Sequence, residues 1–195
     1  MHLHRFLRNG ILSTALLCAA APCFAQSETS SSCVVYFSHE EPLDEKFIAL
    51  IDAEKTSIQL SAYCLRSARI AKALTAAQKR GVLVEIVVDP YSVKASSPLK
   101  RLSDSKIPLY VWNASSEEKS TSGKKKNHRN ALHDSFCLFG GKKIWTGSFY
   151  FAQSGAEHAT DCALVLEKED IAKAYSKEFN RIKGQAVSYL KYTAD

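Results

Sequence analysis

His133-Asp-Ser-Phe-Cys-Leu-Phe-Gly-Gly-Lys-Lys-Ile-Trp-Thr-Gly147-Ser148-Phe149-Tyr150-Phe151 sits in the second half of a 195-residue chain. Its apolar run predicts a strand over Ala131 to Phe139, opened by the histidine. Gly140-Gly141 supplies a tight turn, because glycine takes positive φ without steric cost. Lys143 to Gly147 predicts the returning strand, and Thr146-Gly147-Ser148 ends the hairpin beside His133. A single histidine near a strand is usually a packing or surface residue. Here its surroundings matter, because the hairpin returns a Thr-Gly-Ser turn beside it.

Upstream, apolar runs alternate with helical patterns. Cys33 to Phe37 predicts a buried strand, Ser57 to Tyr63 a second, Val82 to Val88 a third and Ile107 to Trp112 a fourth. Phe47, Ile48 and Ile51, with Leu50 beside them, share a helical face within Glu41 to Lys55. Ile70, Leu74 and Ala77 share another within Ala68 to Arg80, which closes on Lys79-Arg80 and Gly81 as a helix C-terminus does. Pro98 opens a short helix carrying Leu99 and Leu102. Downstream, Cys162 to Leu166 predicts the last strand, and a helix from near Glu169 is expected to bury Ile171, Tyr175, Phe179 and Ile182. Strands alternating with helices, without an internal repeat, predict one α/β domain over 33–190, a mixed sheet flanked by helices on both faces.

Motif and framework together resemble the phospholipase D superfamily, whose motif runs H-x-K-x4-D…G-S-x-N. The likeness extends from Cys33 to about Arg181. It is strongest to small single-motif members, the bacterial periplasmic endonucleases and the mitochondrial-type relatives. The resemblance implies an α-β-α sandwich in which His133 attacks phosphorus to form a phosphohistidine and Ser148 contacts the phosphate. Asp161 falls where the family usually has a glutamate that accepts from the other imidazole nitrogen. A homodimer is implied as well, because a one-motif chain must bring two histidines together. The substrate implied is a phosphodiester, in nucleic acid or phospholipid, with no metal or organic cofactor.

Three positions depart from that pattern. Ser135 stands where the family has its phosphate-binding lysine, Gly140 replaces the aspartate and Tyr150 the asparagine. The lysine weighs most, since a preorganised donor contributes about 2.7–4 kcal/mol in the transition state, or about 10²–10³ in rate. Two readings follow: a phosphodiesterase of reduced power, or an inactive pseudoenzyme serving as a polyanion- or partner-binding module. A source of charge is at hand in the long polar loop 113–130. There Lys124, Lys125, Lys126 and Arg129 are expected to hold phosphates; the alternative is a solvated surface loop.

Other chemistries lack their residues. His158 and Asp161 are three apart, but no second pair has metal-ligand spacing and the cysteines form no C-x-x-C. There is neither a G-x-x-x-x-G-K-[ST] loop nor a G-x-S-x-G elbow. Residues 1–25 read apart from the rest: His2, His4, Arg5 and Arg8 precede the apolar run Ile11 to Ala21, Pro22 ends it, and Cys23 and Ala25 occupy the −3 and −1 positions of a cleavage site. That pattern predicts a signal peptide and an exported protein, periplasmic or secreted. The apolar stretch is well under the ~20 residues that span a bilayer. Residues 26–32 form a polar, serine-rich lead-in. Cleavage removes two arginines and no acid, lowering the formal charge of +6 by two and leaving a mild excess that favours polyanionic partners. Cys33, Cys64, Cys137 and Cys162 remain, and both disulfides and buried free thiols are open to them.

Overall fold

In the computed structural model, residues 32–94, 97–112, 131–151 and 160–194 are described. Eight strands form one mixed sheet. They are β1 (Ser32–Phe37), β2 (Ser57–Ala62), β3 (Leu83–Val88), β4 (Leu109–Trp112), β5 (Phe136–Phe139), β6 (Lys143–Gly147), β7 (Cys162–Glu167) and β8 (Ala186–Ser188). Their spatial order is β1-β7-β6-β5-β2-β3-β4-β8. β2, β3 and β4 run parallel, while β5, β6, β7 and β1 continue the sheet antiparallel on one side and β8 closes the other.

Helices α1 (Leu43–Ala53), α2 (Ala68–Lys79) and α3 (Leu99–Asp104) carry buried faces into the larger core. The long α4 (Glu169–Gly184) packs on the opposite face. A short α5 (Tyr189–Tyr192) ends the fold. The Ser67 hydroxyl caps α2 by accepting from the Ile70 amide, and Gly81, at φ 91°, turns the chain into β3. The alternation of β5 explains why it is buried throughout. Phe136 packs with Phe179 and Ile182 of α4 and Leu138 with Ala172, while Cys137 and Phe139 join the core containing Phe47. Phe47 is fully buried among the rings of Phe139, Trp145 and Phe151. The mixed sheet with helices on both faces is the architecture the sequence predicts.

Several details differ from expectation. β1 is not a buried strand. It is the sheet edge, paired with β7 alone, and leaves Val34, Val35 and Phe37 at 45%, 50% and 38% exposure. Apolar, β-branched composition marks a strand but does not say how many neighbours it has. The strand expected from Ala131 is confined to Phe136–Phe139. Its partner β2 ends at Ala62, and the next amide, that of Tyr63, donates to the Ser135 hydroxyl instead of to a strand carbonyl. In α4 the fully buried residues are Ala172, Phe179 and Ile182, whereas Ile171 and Tyr175 are half-buried. All four cysteines of the described residues are free thiols. Burial raises the Cys137 thiol well above its ordinary range. No helix among the described residues is long and apolar enough to cross a membrane.

Candidate functional site

β5 runs antiparallel to β2, and β2 parallel to β3, so the segments after β2 and β3 and the one before β5 meet at one end of the sheet. The segments after β6 and before β7 arrive at the same end, because β5, β6 and β7 pair antiparallel in turn. The ends of parallel strands are where α/β sheets hold their ligands. Here that edge carries His133, Ser148 and Asp161.

Ser148 and Asp161 are tied together. The Ser148 hydroxyl donates to Asp161 Oδ1 at 2.9 Å and accepts from the Cys162 amide at 3.0 Å; the Asp161 amide donates to the Ser38 hydroxyl at 2.9 Å. The close approach of the two chains depends on Gly147. A Cβ there would lie 2.3 Å from the Cys162 carbonyl oxygen.

His133 is exposed and held differently. Its ring stacks on Tyr63 (centroids 5.0 Å, planes 20° apart), and Tyr63 stacks on Tyr91 (5.1 Å, 7°). Among the described residues no hydrogen bond joins the imidazole to Asp161, whose carboxylate engages Ser148. Beside His133 opens a cleft of about 360 Å³, lined by His133, Ser135, Gly147 and, from α4, Tyr175 and Glu178. Its α4 flank is acidic. Burial first, and then a hydrogen bond with Glu178, push the Asp134 carboxyl above its ordinary range, while a hydrogen bond from Arg181 holds Glu178 below its own.

Two of the three departures from the family motif have a local reason, those at Ser135 and Gly140. Ser135 is buried, its hydroxyl accepting from the Tyr63 amide at 3.2 Å, so the position that would carry a cation stitches β2 to the motif segment. Gly140, at φ 56°, occupies the turn, and a Cβ would stand 3.1 Å from Thr56 Oγ1 and 3.3 Å from Glu54 Oε2. The Glu54 carboxylate already binds this corner, accepting from the amides of Lys55, Thr56 and Ser57 and from the Thr56 hydroxyl. A second carboxylate at 140 would meet like charge. Tyr150 is 43% exposed and leans on Tyr63 at 5.5 Å. Lys142 and Lys143 lie by the turn at the far end of the hairpin, away from His133.

The site also uses residues that sequence reasoning missed. Asp89 is fully buried, its carboxylate accepting from the Tyr91 amide at 2.6 Å and the Leu132 amide at 2.9 Å. It thereby fixes the second tyrosine of the stack and the residue before His133. The Asp89-Pro90 pair after an apolar strand is a turn signal that marks such a carboxylate. Asp89→Ala is expected to lower unfolding free energy by at least about 2 kcal/mol, because two buried amides lose their acceptor; urea denaturation measures it. Arg66 and Lys94 flank Tyr91, with Arg66 Cζ 4.5 Å and Lys94 Nζ 4.4 Å from its ring centroid. Lys124, Lys125, Lys126 and Arg129 of the basic loop lie outside the described residues, as do His158 and residues 1–31. Among the described residues no group of three His, Cys, Asp or Glu side chains is placed to hold a metal ion.

A sheet of this topology with a histidine and a Gly-Ser turn at its ligand-binding end defines a phospholipase D-like domain. The family described as "Cardiolipin synthase, PLD-like domain" matches residues 47–183, and the chain belongs to it. Phospholipase D of Rickettsia conorii is 30% identical over 132 residues, covering 67% of this chain and 59% of the relative. Phospholipase D of Rickettsia typhi is 26% identical over 147 residues, covering 74% and 65%. The chain thus spans under two thirds of the length of these relatives. Among solved structures, the phospholipase D family member Nuc from Salmonella typhimurium superposes with TM-score 0.70 at 26% identity, over 82% of this chain and 99% of that one. NucT from Helicobacter pylori does so with TM-score 0.69 at 16% identity, over 82% and 100%.

Proposed function

We propose that this protein binds phosphodiesters in the cleft at His133, and that its chemical step is slow because the motif cation is missing. The observation that carries this reading is the contrast between His133 and Ser135. The imidazole is exposed and oriented by a tyrosine stack, whereas the hydroxyl at 135 is buried against the Tyr63 amide. The nucleophile is presented and the charge is absent.

The step open to such a site balances simply. An imidazole nitrogen of His133 forms a bond to phosphorus as the bond to the leaving oxygen breaks, and a second histidine gives that oxygen its proton. Water then attacks the phosphohistidine and loses a proton to the second histidine. With one motif per chain, that histidine is the His133 of a second copy, so the working unit is a homodimer with an isologous interface. The exposed apolar residues of edge strand β1, which leads into Ser38 beside Asp161, supply surface that a second copy would cover. Residues 1–25 act as an export signal in this reading.

The test is binding of a metal-free phosphodiester, dTpdT, together with light scattering. Wild type should be dimeric at tens of micromolar, and His133→Ala should weaken dTpdT at least tenfold. A monomer would remove the two-histidine mechanism. Unchanged binding by His133→Ala would remove the cleft from the site. The pseudoenzyme reading is favoured by one observation, the bonding of Ser135, and predicts binding without any turnover.

A further inference from the structure

Two cations outside the motif, Arg66 and Lys94, stand at the tyrosine stack. Arg66 follows β2, Lys94 follows the turn after β3, and both lie over the ring of Tyr91. Tyr91 is the last ring of the stack that starts at His133, two ring steps of 5.0 and 5.1 Å from it, and the pair stands one further step of 4.4–4.5 Å beyond the Tyr91 centroid. Neither cation is neutralised: among the described residues no carboxylate forms an ion pair with Arg66 or Lys94.

Arg66 carries a second, independent sign. Its Nε and Nη2 are buried and donate to no acceptor among the described residues. Its backbone is fixed, since its amide and that of Ser67 both donate to the Phe151 carbonyl, the end of the Gly-Ser segment. A buried guanidinium edge without an acceptor is costly in a finished structure. It is the natural partner of an oxyanion, which guanidinium meets with two parallel donors. Lys94 is exposed, on a flexible stem, and is free to leave the ring face and close on the same anion.

Resting on the reading of His133 as a phosphodiester site, we propose that Arg66 and Lys94 form a second phosphate subsite, which holds the phosphate next to the one at His133 in a single-stranded nucleic acid. Two anion positions in series match a chain with a phosphate at every step. The electrostatics set the direction of approach. Asp134 and the Glu178–Arg181 ion pair occupy the α4 flank of the cleft, whereas Arg66 and Lys94 stand without a carboxylate partner by Tyr91, so a polyanion runs along the Tyr63–Tyr91 flank. The exposed Tyr150 ring, which leans on Tyr63, offers a face for a base, a contact that tolerates any sequence.

The test compares fluorescein-labelled dTpdT, with one phosphodiester, and dTpdTpdT, with two, by anisotropy at low salt. Wild type should bind the longer ligand at least tenfold more tightly. Arg66→Gln/Lys94→Gln should erase that difference, weakening dTpdTpdT at least tenfold more than dTpdT. Lys94→Glu, an exposed change that leaves Arg66 and its packing intact, should weaken the longer ligand in the same sense. A double variant that keeps the full preference for dTpdTpdT overturns the proposal. So does an equal loss for both ligands, which would assign the cations to the phosphate at His133. Loss of binding to phosphatidylglycerol vesicles with the preference for dTpdTpdT intact would overturn it in favour of a lipid surface. His133→Ala separates the two levels: failure of that variant to weaken dTpdT refutes the underlying site, whereas failure of the Arg66/Lys94 variant refutes only the subsite.

Discussion

Ser135→Lys combined with Tyr150→Asn is expected to raise metal-independent hydrolysis of bis-p-nitrophenyl phosphate by at least about a hundredfold over the natural chain. His133, Ser148 and a carboxylate at Asp161 match the family motif, so a cation at 135 and an amide at 150 are what the chain lacks relative to it. Position 135 lines the same cleft as His133, which gives a lysine stem room to extend, and the acidic α4 flank offers its ammonium company. The substitution removes the bond from the Tyr63 amide, at a stability cost of about 1 kcal/mol, small against the catalytic gain. Asparagine at 150 releases the ring that leans on Tyr63 and restores an amide donor. Gly140 is best left alone, since Glu54 fills that corner. Adding His133→Ala to the repaired chain should abolish the gain. A repaired variant that folds, dimerises and stays inert would place the defect in Asp161, whose carboxylate is engaged by Ser148.

Gly147→Ala should have the opposite effect, with loss of the site and a stability loss of about 3 kcal/mol, the upper end for overpacking. The atoms that a Cβ would strike are backbone: the Cys162 carbonyl oxygen at 2.3 Å and the Ala163 Cα at 3.0 Å. No rotamer change relieves that contact, and the φ of 150° adds strain for any side chain. β6 and β7 must separate where the Ser148 amide donates to the Cys162 carbonyl, which also undoes the Ser148–Asp161 bond. Thermal unfolding and dTpdT binding report the two consequences. A variant with wild-type melting and binding would mean that the Gly-Ser turn does not anchor β6 to β7.

The fold was legible because its signals are periodic and local. Phe47 and Ile51, or Ile70 and Leu74, declare their helical faces, and the Gly140-Gly141 turn declares the hairpin. Pairing partners are not local. Cys33 to Phe37 has the composition of a central strand and sits at the edge. β8 is three residues long and gains its identity from β4, so nothing in Ala186–Ser188 announces it. His133, Ser148 and Asp161 were singled out by the resemblance to the family motif, and the structure brings them to one end of the sheet. Asp89, Tyr63, Tyr91, Arg66 and Lys94 lie 39 to 70 residues upstream of His133, and the pairing of β2 with both β3 and β5 brings them to it. Lysines in a basic run attract notice; Arg66 and Lys94, each isolated in sequence, do not.

The most direct test of the account is to trap the covalent intermediate. An oligonucleotide with an internal 32P label is incubated with the protein in chelator, quenched in alkali, and the label is mapped on the chain. An alkali-stable, acid-labile phosphoryl adduct is expected on His133, forming slowly in the natural chain and at least about a hundredfold faster after Ser135→Lys/Tyr150→Asn. None is expected in His133→Ala. An adduct on any other residue, or one that persists in His133→Ala, would contradict a His133 nucleophile.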